Sequence, residues 1–309
     1  MLKLSNLQRD VKLAPFTTYQ IGGPADYFVE VHGSHELAEA VRTARSAKVP
    51  YFVLGTGANI LVTDKGFRGL VIRNRADAVK VAGHKLTAES GATVAAAIEH
   101  AAAYGLSGLE HFVLIPSSVG GAIWQNLHFA SVDASLWQRT GELKGSDTLY
   151  IENIVESAII LDEDGQIQNV DHDFFEFAYD YSVLHKREVI VLEVTFALKP
   201  KPKPEIELQM QANASWRRAK QPQLPEFPSC GSVFKKIEGV GAGRLIDQAG
   251  LKGKTIGQAQ ISEKHANYIL NLGGATAADV LALIKLVQAE VKATSGYELG
   301  TEIGIIGER

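Results

Sequence analysis

Two glycine turns, two basic clusters and one serine-bearing turn hold most of the residues in this chain whose types and spacing suit chemistry. Gly55-Thr56-Gly57-Ala58-Asn59, followed by Ile60, joins two short apolar runs. Its glycines reach backbone angles closed to other residues and let a bulky ligand approach main-chain amides, an arrangement suited to an anion. Leu114-Ile-Pro116-Ser117-Ser118-Val-Gly120-Gly121 is a second stretch where periodicity gives way to loop chemistry. Ser229-Cys230-Gly231-Ser232 follows Pro225 and Pro228 and precedes Lys235-Lys236. Glycine beside serine exposes a hydroxyl on a tight turn, and the lysines are point charges for a phosphate; a plain solvent turn is the alternative. Trp216-Arg217-Arg218-Ala219-Lys220 adds three cations, and a helix there would put Arg217 and Lys220 on one face. With Lys235 and Lys236 they could surround a diphosphate, or form a solvated helix end. Ser262-Glu-Lys-His-Ala-Asn-Tyr-Ile269 packs five polar or ionisable residues ahead of an apolar run and reads as a turn entering a strand, dense enough in hydrogen-bonding groups to wall a site.

Other chemistries lack their signatures. After Gly55 and Gly57 the sixth position is Ile60, so the dinucleotide fingerprint G-x-G-x-x-G is absent. Gly253-Lys254-Thr255 lacks the glycine that a phosphate-binding P-loop needs five positions earlier, where Gln248 stands. His32 and His35 come nearest to metal spacing without a third ligand. Ser117 and Ser118 lie outside any G-x-S-x-G elbow. Cys230, the single cysteine, can form neither an internal disulfide nor a thiolate cage, and is either a reactive thiol or a small buried hydrophobe.

These residues need a scaffold, and 309 residues with 46% apolar and 21% charged side chains supply more than one hydrophobic core. With 31 Lys and Arg against 35 Asp and Glu, the net charge is −4, so no global positive field gathers nucleic acid or an anionic membrane. No apolar stretch of signal or spanning length interrupts the sequence, and a soluble cytoplasmic protein is expected.

Strands are expected at 27–31, 51–54 and 60–62, a hairpin at 155–161 and 167–170 turned at Asp164-Gly165, and a long strand at 189–198. Helices are expected after Ser34 as N-cap, from Thr93 to Tyr104 with Gly105 beyond it, at 206–217, at 243–249, and at 276–294 with a Thr276/Asp279 capping box. The Lys-Pro alternation of 199–204 marks a stiff connector and a domain boundary. The last apolar segment, 303–306, is read as a strand returning to the first part's sheet, which would carry Glu302 to a cleft between the two parts.

Taken together, Thr18-Tyr-Gln-Ile-Gly-Gly-Pro-Ala-Asp26, Leu54-Gly-Thr-Gly-Ala-Asn-Ile-Leu-Val62, Gly105-Leu-Ser-Gly-Leu-Glu110, Ile115-Pro116 with Val119-Gly-Gly121, Gly231-Ser-Val-Phe-Lys235, Ala242-Gly-Arg-Leu-Ile246 and Ser262-Glu-Lys-His-Ala-Asn267 carry a resemblance across nearly the whole chain. In their joint order they resemble the UDP-N-acetylenolpyruvoylglucosamine reductase family, flavoenzymes of peptidoglycan precursor synthesis. The resemblance implies an α+β fold. Residues 1–200 would form an FAD-binding region of the vanillyl-alcohol oxidase type, in two subdomains of about 1–75 and 76–200 joined by 300–309, and residues 205–299 a smaller α+β substrate domain. It implies noncovalent FAD held by Gly55, Thr56, Gly57, Ala58, Asn59 and Ile60 with Pro116, Ser117, Ser118, Gly120 and Gly121, the two loops cradling its diphosphate through backbone amides. NADPH would give hydride to the flavin, and the flavin to the enolpyruvyl carbon of UDP-N-acetylglucosamine enolpyruvate. Ser232 matches the family's proton donor, Glu302 its C-terminal catalytic glutamate, and Arg217 and Lys220 its cations at the diphosphate; Lys235 and Lys236 adjoin them, Lys236 in place of the usual asparagine. No insertion fits between Tyr181 and Lys199, as in the shorter, type II class. A monomer without nucleic-acid or membrane partners is expected.

One segment departs. Where the family usually has F-x-Y-R-x-S-x-F, this chain reads Phe177-Ala-Tyr-Asp180-Tyr-Ser-Val-Leu184, so Asp180 holds the arginine's place. Trp124-Gln-Asn-Leu-His128, followed by Phe129, likewise departs from the usual pattern while keeping polar and aromatic character. An ionised aspartate repels a carboxylate substrate, so the resemblance leaves three readings. A nearby cation, with His185, Lys186 and Arg187 the candidates by proximity, takes over the role; or a related substrate is reduced; or FAD and a UDP-sugar are bound without turnover.

Overall fold

The computed structural model describes residues 2–237 and 239–308. The chain forms two compact units. One comprises residues 1–6, 29–56 and 72–219, the other 7–28, 57–71 and 220–309. Strands Pro24–Val31 and Phe67–Asn74 each begin in the second unit and end in the first.

The first unit is built on a five-stranded antiparallel sheet in the order Ile167–Asp171, Val155–Leu161, Ile190–Ala197, Lys85–Glu89, Val79–Ala82. Period-2 alternation sends Val194 and Phe196 inward, while Thr195 pairs with Thr87 on the other face, hydroxyl to hydroxyl at 3.1 Å. Onto the inner face pack α2 (Val94–Ala103) and α3 (Val119–Gln125), whose Ala97, Ile98, Ala101, Ala122 and Ile123 join Leu86, Ala88 and Ile160 in one core. Thr93 caps α2 as its sequence implies, accepting from the Ala96 amide at 3.1 Å, and Gly105 takes the left-handed conformation just past the end. In α1 (Ser34–Ser46) Gly33 occupies the cap position instead of Ser34, whose hydroxyl donates to Glu89 Oε1. The loop expected at 114–121 is half helix, because Ser118 caps α3 by accepting from the Gly121 amide at 3.2 Å.

A second hairpin, unforeseen from periodicity, pairs His128–Val132 with Gly145–Tyr150 around α4 (Ala134–Thr140). Helix α5 (Lys203–Lys220) starts inside the Lys-Pro stretch, and its residues through 219 belong to this unit, so the connector marks no boundary between compact units. The physical reason is burial: Asn213 donates to the His111 carbonyl at 3.0 Å and accepts from the Val132 amide.

In the second unit a three-stranded antiparallel sheet, Thr255–Ile256, Ala259–Ile261 and Ile269–Asn271, shares a core with α6 (Ala242–Gln248) and α7 (Ala277–Ser295). Helix α7 has the expected capping box between Thr276 and Asp279, and Asp64 adds a second cap, accepting from the Ala277 and Ala278 amides at 2.8 and 2.9 Å. The final strand, Gly304–Ile306, runs parallel to Ile60–Val62 within this unit. No helix among the described residues is long and apolar enough to cross a membrane.

Candidate active site

The glycine turn is held from both of its ends. In the first unit Thr56 Oγ1 donates to the Pro116 carbonyl at 2.7 Å, and a Cβ on Gly55 would overlap the Ser118 hydroxyl, so glycine is required for close approach there. In the second unit Gly57 has φ +64°, and a Cβ on it would lie 2.7 Å from the Phe16 carbonyl oxygen. The carbonyls of Gly57 and Asn59 accept from Thr18 and Gly304, which turns the electronegative edge of this stretch into the protein. Such a turn fits an anionic cofactor group.

The neighbouring loop differs from expectation in detail. The amides of Ser117, Val119 and Gly120 donate to the carbonyls of Ile115, Ala92 and Ser90, and that of Gly121 to Ser118 Oγ. The Gly120 and Gly121 amides thus donate within the protein. Gly120 is glycine because a Cβ would press on Ser90 at 3.1 Å, letting α3 sit close on the chain.

The second unit brings Ser232 and Glu302 to adjacent paired segments. Glu302 donates its amide to the Val233 carbonyl at 2.8 Å, Lys235 donates to Gly300 at 2.9 Å, and Phe234 bridges Thr301 antiparallel. Asn267 fixes this turn. Its carbonyl accepts from the Val233 amide, its side-chain oxygen from the Phe234 amide at 3.0 Å, and its Nδ2 donates to the Phe234 carbonyl at 2.9 Å. Ser232 and Glu302 are half-buried, whereas Val233 and Phe234 are buried in the core. The dense segment before Ile269 thus carries the residue that holds the serine turn in place.

Cys230 is a buried hydrophobe rather than an exposed thiol. Burial pushes its thiol well above the ordinary range; its own backbone hydrogen bond opposes this and the Glu302 charge adds to it. Lys220, Lys235 and Lys236 are exposed, while Arg217 is buried with its guanidinium 4.5 Å from the Phe129 ring centroid.

Asp180 lies in a tight turn closed by reciprocal bonds between Ala178 and Tyr181, with φ +51°. The three cations offered by sequence proximity make contacts of their own. His185 stacks on Trp124 and bonds its carbonyl, Lys186 lies over the Tyr181 ring, and Arg187 makes a two-pronged pair with Glu163. Among the described residues the basic group within 4 Å of the Asp180 carboxylate is His128, which sequence proximity missed because 52 positions separate the two. No cluster of three metal-binding side chains occurs among the described residues.

Comparison with known proteins agrees with this architecture. Residues 25–135 match the model of an FAD binding domain, and residues 221–306 that of the UDP-N-acetylenolpyruvoylglucosamine reductase C-terminal domain. The UDP-N-acetylenolpyruvoylglucosamine reductase of Heliobacterium modesticaldum is 40% identical over 94% of this chain and 88% of its own length. That of Clostridium botulinum is 37% identical over 98% and 94%. The crystal structure of UDP-N-acetylenolpyruvylglucosamine reductase from Thermus caldophilus superposes with a TM-score of 0.79 at 33% identity, covering 97% of this chain and 99% of that one. With these matches spanning both parts of an α+β architecture, the chain belongs to the UDP-N-acetylenolpyruvoylglucosamine reductase family.

Proposed function

We propose that this chain reduces UDP-N-acetylglucosamine enolpyruvate to UDP-N-acetylmuramate at the expense of NADPH, with Ser232 and Glu302 as its catalytic pair. The observation that supports the assignment of residues is the backbone pairing of the 300–302 segment with the turn after Gly231, which sets Ser232 and Glu302 on adjacent segments although 70 positions separate them in the chain. Residues of the Gly55–Ile60 turn and of the Pro116–Gly121 segment would hold FAD noncovalently, and the bound flavin would supply two-electron hydride chemistry between NADPH and the enolpyruvyl double bond.

The protein's own groups complete the reaction. Hydride addition leaves negative charge on the carbon that bears the carboxylate, and the Ser232 hydroxyl supplies its proton. Glu302, acting with a cation, binds and polarises the substrate carboxylate. Arg217, Lys220, Lys235 and Lys236 are the proposed cations for the nucleotide diphosphate, bound as a monomer's own side chains. Net consumption is one NADPH and one proton per double bond reduced.

The test uses colour. Purified protein should be yellow or take up FAD; NADPH without oxygen should bleach it, and UDP-N-acetylglucosamine enolpyruvate should then restore the colour. Bleaching without restoration by that compound would overturn the substrate assignment.

A further inference from the structure

The serine turn is gripped by Asn267, and Asn267 is itself held by an imidazole. Its amide donates to His265 Nδ1 at 3.3 Å, so that nitrogen presents a lone pair and the ring hydrogen sits on Nε2. The surrounding segment is closed on itself. Ser262 is buried, and its Oγ accepts from the Lys264 and His265 amides at 3.1 and 3.2 Å. The His265 carbonyl accepts from the Tyr268 amide at 2.9 Å, and the Tyr268 carbonyl from the Ser262 amide at 2.8 Å. These groups all lie in the second unit, as Ser232 and Glu302 do.

The ring has a built seat. Tyr268 meets it edge-on with centroids 5.0 Å apart. A Cβ on Gly243 would come within 3.3 Å of its Cε1, so α6 approaches the imidazole about as closely as glycine allows. The titratable and charged groups that face it are Tyr268 and Lys252. Burial first, and the Lys252 charge after it, hold the imidazole below the usual histidine range, against the bond that its charged form makes to its own backbone. A proton added to Nδ1 would set a second donor against the Asn267 amide, and the bond between them would be lost. That loss reaches the site through Asn267, which makes three bonds to the backbone of Val233 and Phe234, the two residues after Ser232.

We infer that His265, in its neutral form with the hydrogen on Nε2, is a positioning residue for Ser232, and that a proton on Nδ1 loosens the serine turn and slows proton delivery. This rests on the reductase reading and deepens it. His265 need touch neither substrate nor flavin, because it acts through Asn267.

His265→Leu removes the acceptor, and His265→Asn restores one, since an asparagine oxygen accepts from the amide two residues on without titrating. Bleaching by NADPH and recolouring by UDP-N-acetylglucosamine enolpyruvate are timed by stopped flow between pH 5 and 8. In wild type, recolouring should be at its full rate above about pH 6.5 and fall about tenfold to hundredfold as pH drops through the folded value of His265. H265L should be slow throughout; H265N should recover most of the rate and lose this acid limb. Bleaching should be alike in all three, whereas a merely structural His265 would slow both steps or neither. The same acid limb in wild type and H265N would overturn the inference. Nitrogen-15 spectra of histidine-labelled wild type give a reading independent of turnover, and serve alone if neither variant retains FAD. The ring whose signals Gly243→Ala shifts should carry its hydrogen on Nε2 at pH 8 and titrate below the usual range, and a hydrogen on Nδ1 there would also overturn the inference. Wild type that never recolours would remove the reductase reading, while the spectra still test the hold on Asn267. Recolouring in wild type with H265L indifferent would do the reverse.

Discussion

Glu302 gives its amide hydrogen to the carbonyl of Val233, 2.8 Å away and one residue beyond Ser232, so the last stretch of the chain is clamped to the turn that carries the proposed proton donor. The backbone contact is indifferent to either side chain. Ser232→Ala and Glu302→Gln should therefore fold and bind FAD as wild type does, while losing different parts of the reaction.

For S232A, turnover should fall about 10²- to 10⁴-fold, the usual range for removing a positioned proton donor. Flavin bleaching by NADPH should keep its wild-type rate, because that half-reaction needs no proton from Ser232. Stopped-flow traces of the two half-reactions decide the matter. Slowed bleaching in S232A would show that the hydroxyl serves the nicotinamide step or the fold, and the assignment would fail.

Gly55→Ala tests the glycine turn. The added methyl would overlap the Ser118 hydroxyl, which also caps α3. FAD affinity should drop by at least about tenfold as the turn is pushed off its tie to Pro116. Ser118→Gly in the same chain removes the obstacle and should restore part of the affinity, at a cost of only about a few tenths of a kcal/mol for the changed cap. An affinity in G55A equal to wild type, measured by fluorescence on FAD titration, would contradict the close-approach argument.

Local signals explain which elements were legible in sequence. Thr93, Thr276 with Asp279, Gly105 and the Asp164-Gly165 turn act over three or four residues, and each is where its spacing put it. The start of α3 was hidden because Gly120 and Gly121 suggest loop, whereas Gly120 is there to let the helix approach Ser90. The Lys-Pro run at 199–204 suggested a boundary, but α5 is drawn into the first unit by Asn213 and its partners, information that lies about 80 to 100 residues away. The same distance problem concealed His128 beside Asp180, while the strand expected at 303–306 is present at Gly304–Ile306 and pairs with Ile60–Val62, which the structure groups with it in the second unit.

Asn267 offers a test of how firmly the serine turn is held. Its amide group both accepts from and donates to the Phe234 backbone, and the side chain is buried. Asn267→Ala leaves two buried backbone groups without partners and should destabilise the protein by about 2–4 kcal/mol. Asn267→Asp keeps the acceptor for the Phe234 amide but sets a carboxylate against the Phe234 carbonyl, so it should be no milder. Urea denaturation reports both, and a loss under about 0.5 kcal/mol in each would mean that the turn is secured by other contacts.

The pH dependence of stability has a definite sign at His111. Burial is the largest influence and holds this imidazole below the usual histidine range; the Glu110 charge opposes that shift and the Lys201 charge reinforces it. Its Nδ1 meets Ser131 Oγ at 2.8 Å. Because the folded value lies below the unfolded one of about 6.5, the unfolded chain binds more protons in the window between them. The contribution is complete above about pH 6.5 and is lost as pH falls through the folded value, with a slope of at most about 1.4 kcal/mol per pH unit for one proton. His265, in the other unit, is lowered by burial in the same way and adds a second contribution of the same sign. His111→Asn retains a donor near the Nδ1 position without a titrating ring. Urea midpoints measured at pH 7.5, 6.5 and 5.5 should decline less steeply in H111N than in wild type, with the remaining decline carried by His265. Parallel declines in the two proteins would mean that His111 takes up its proton without resistance from the fold, which its burial beside Ser131 argues against.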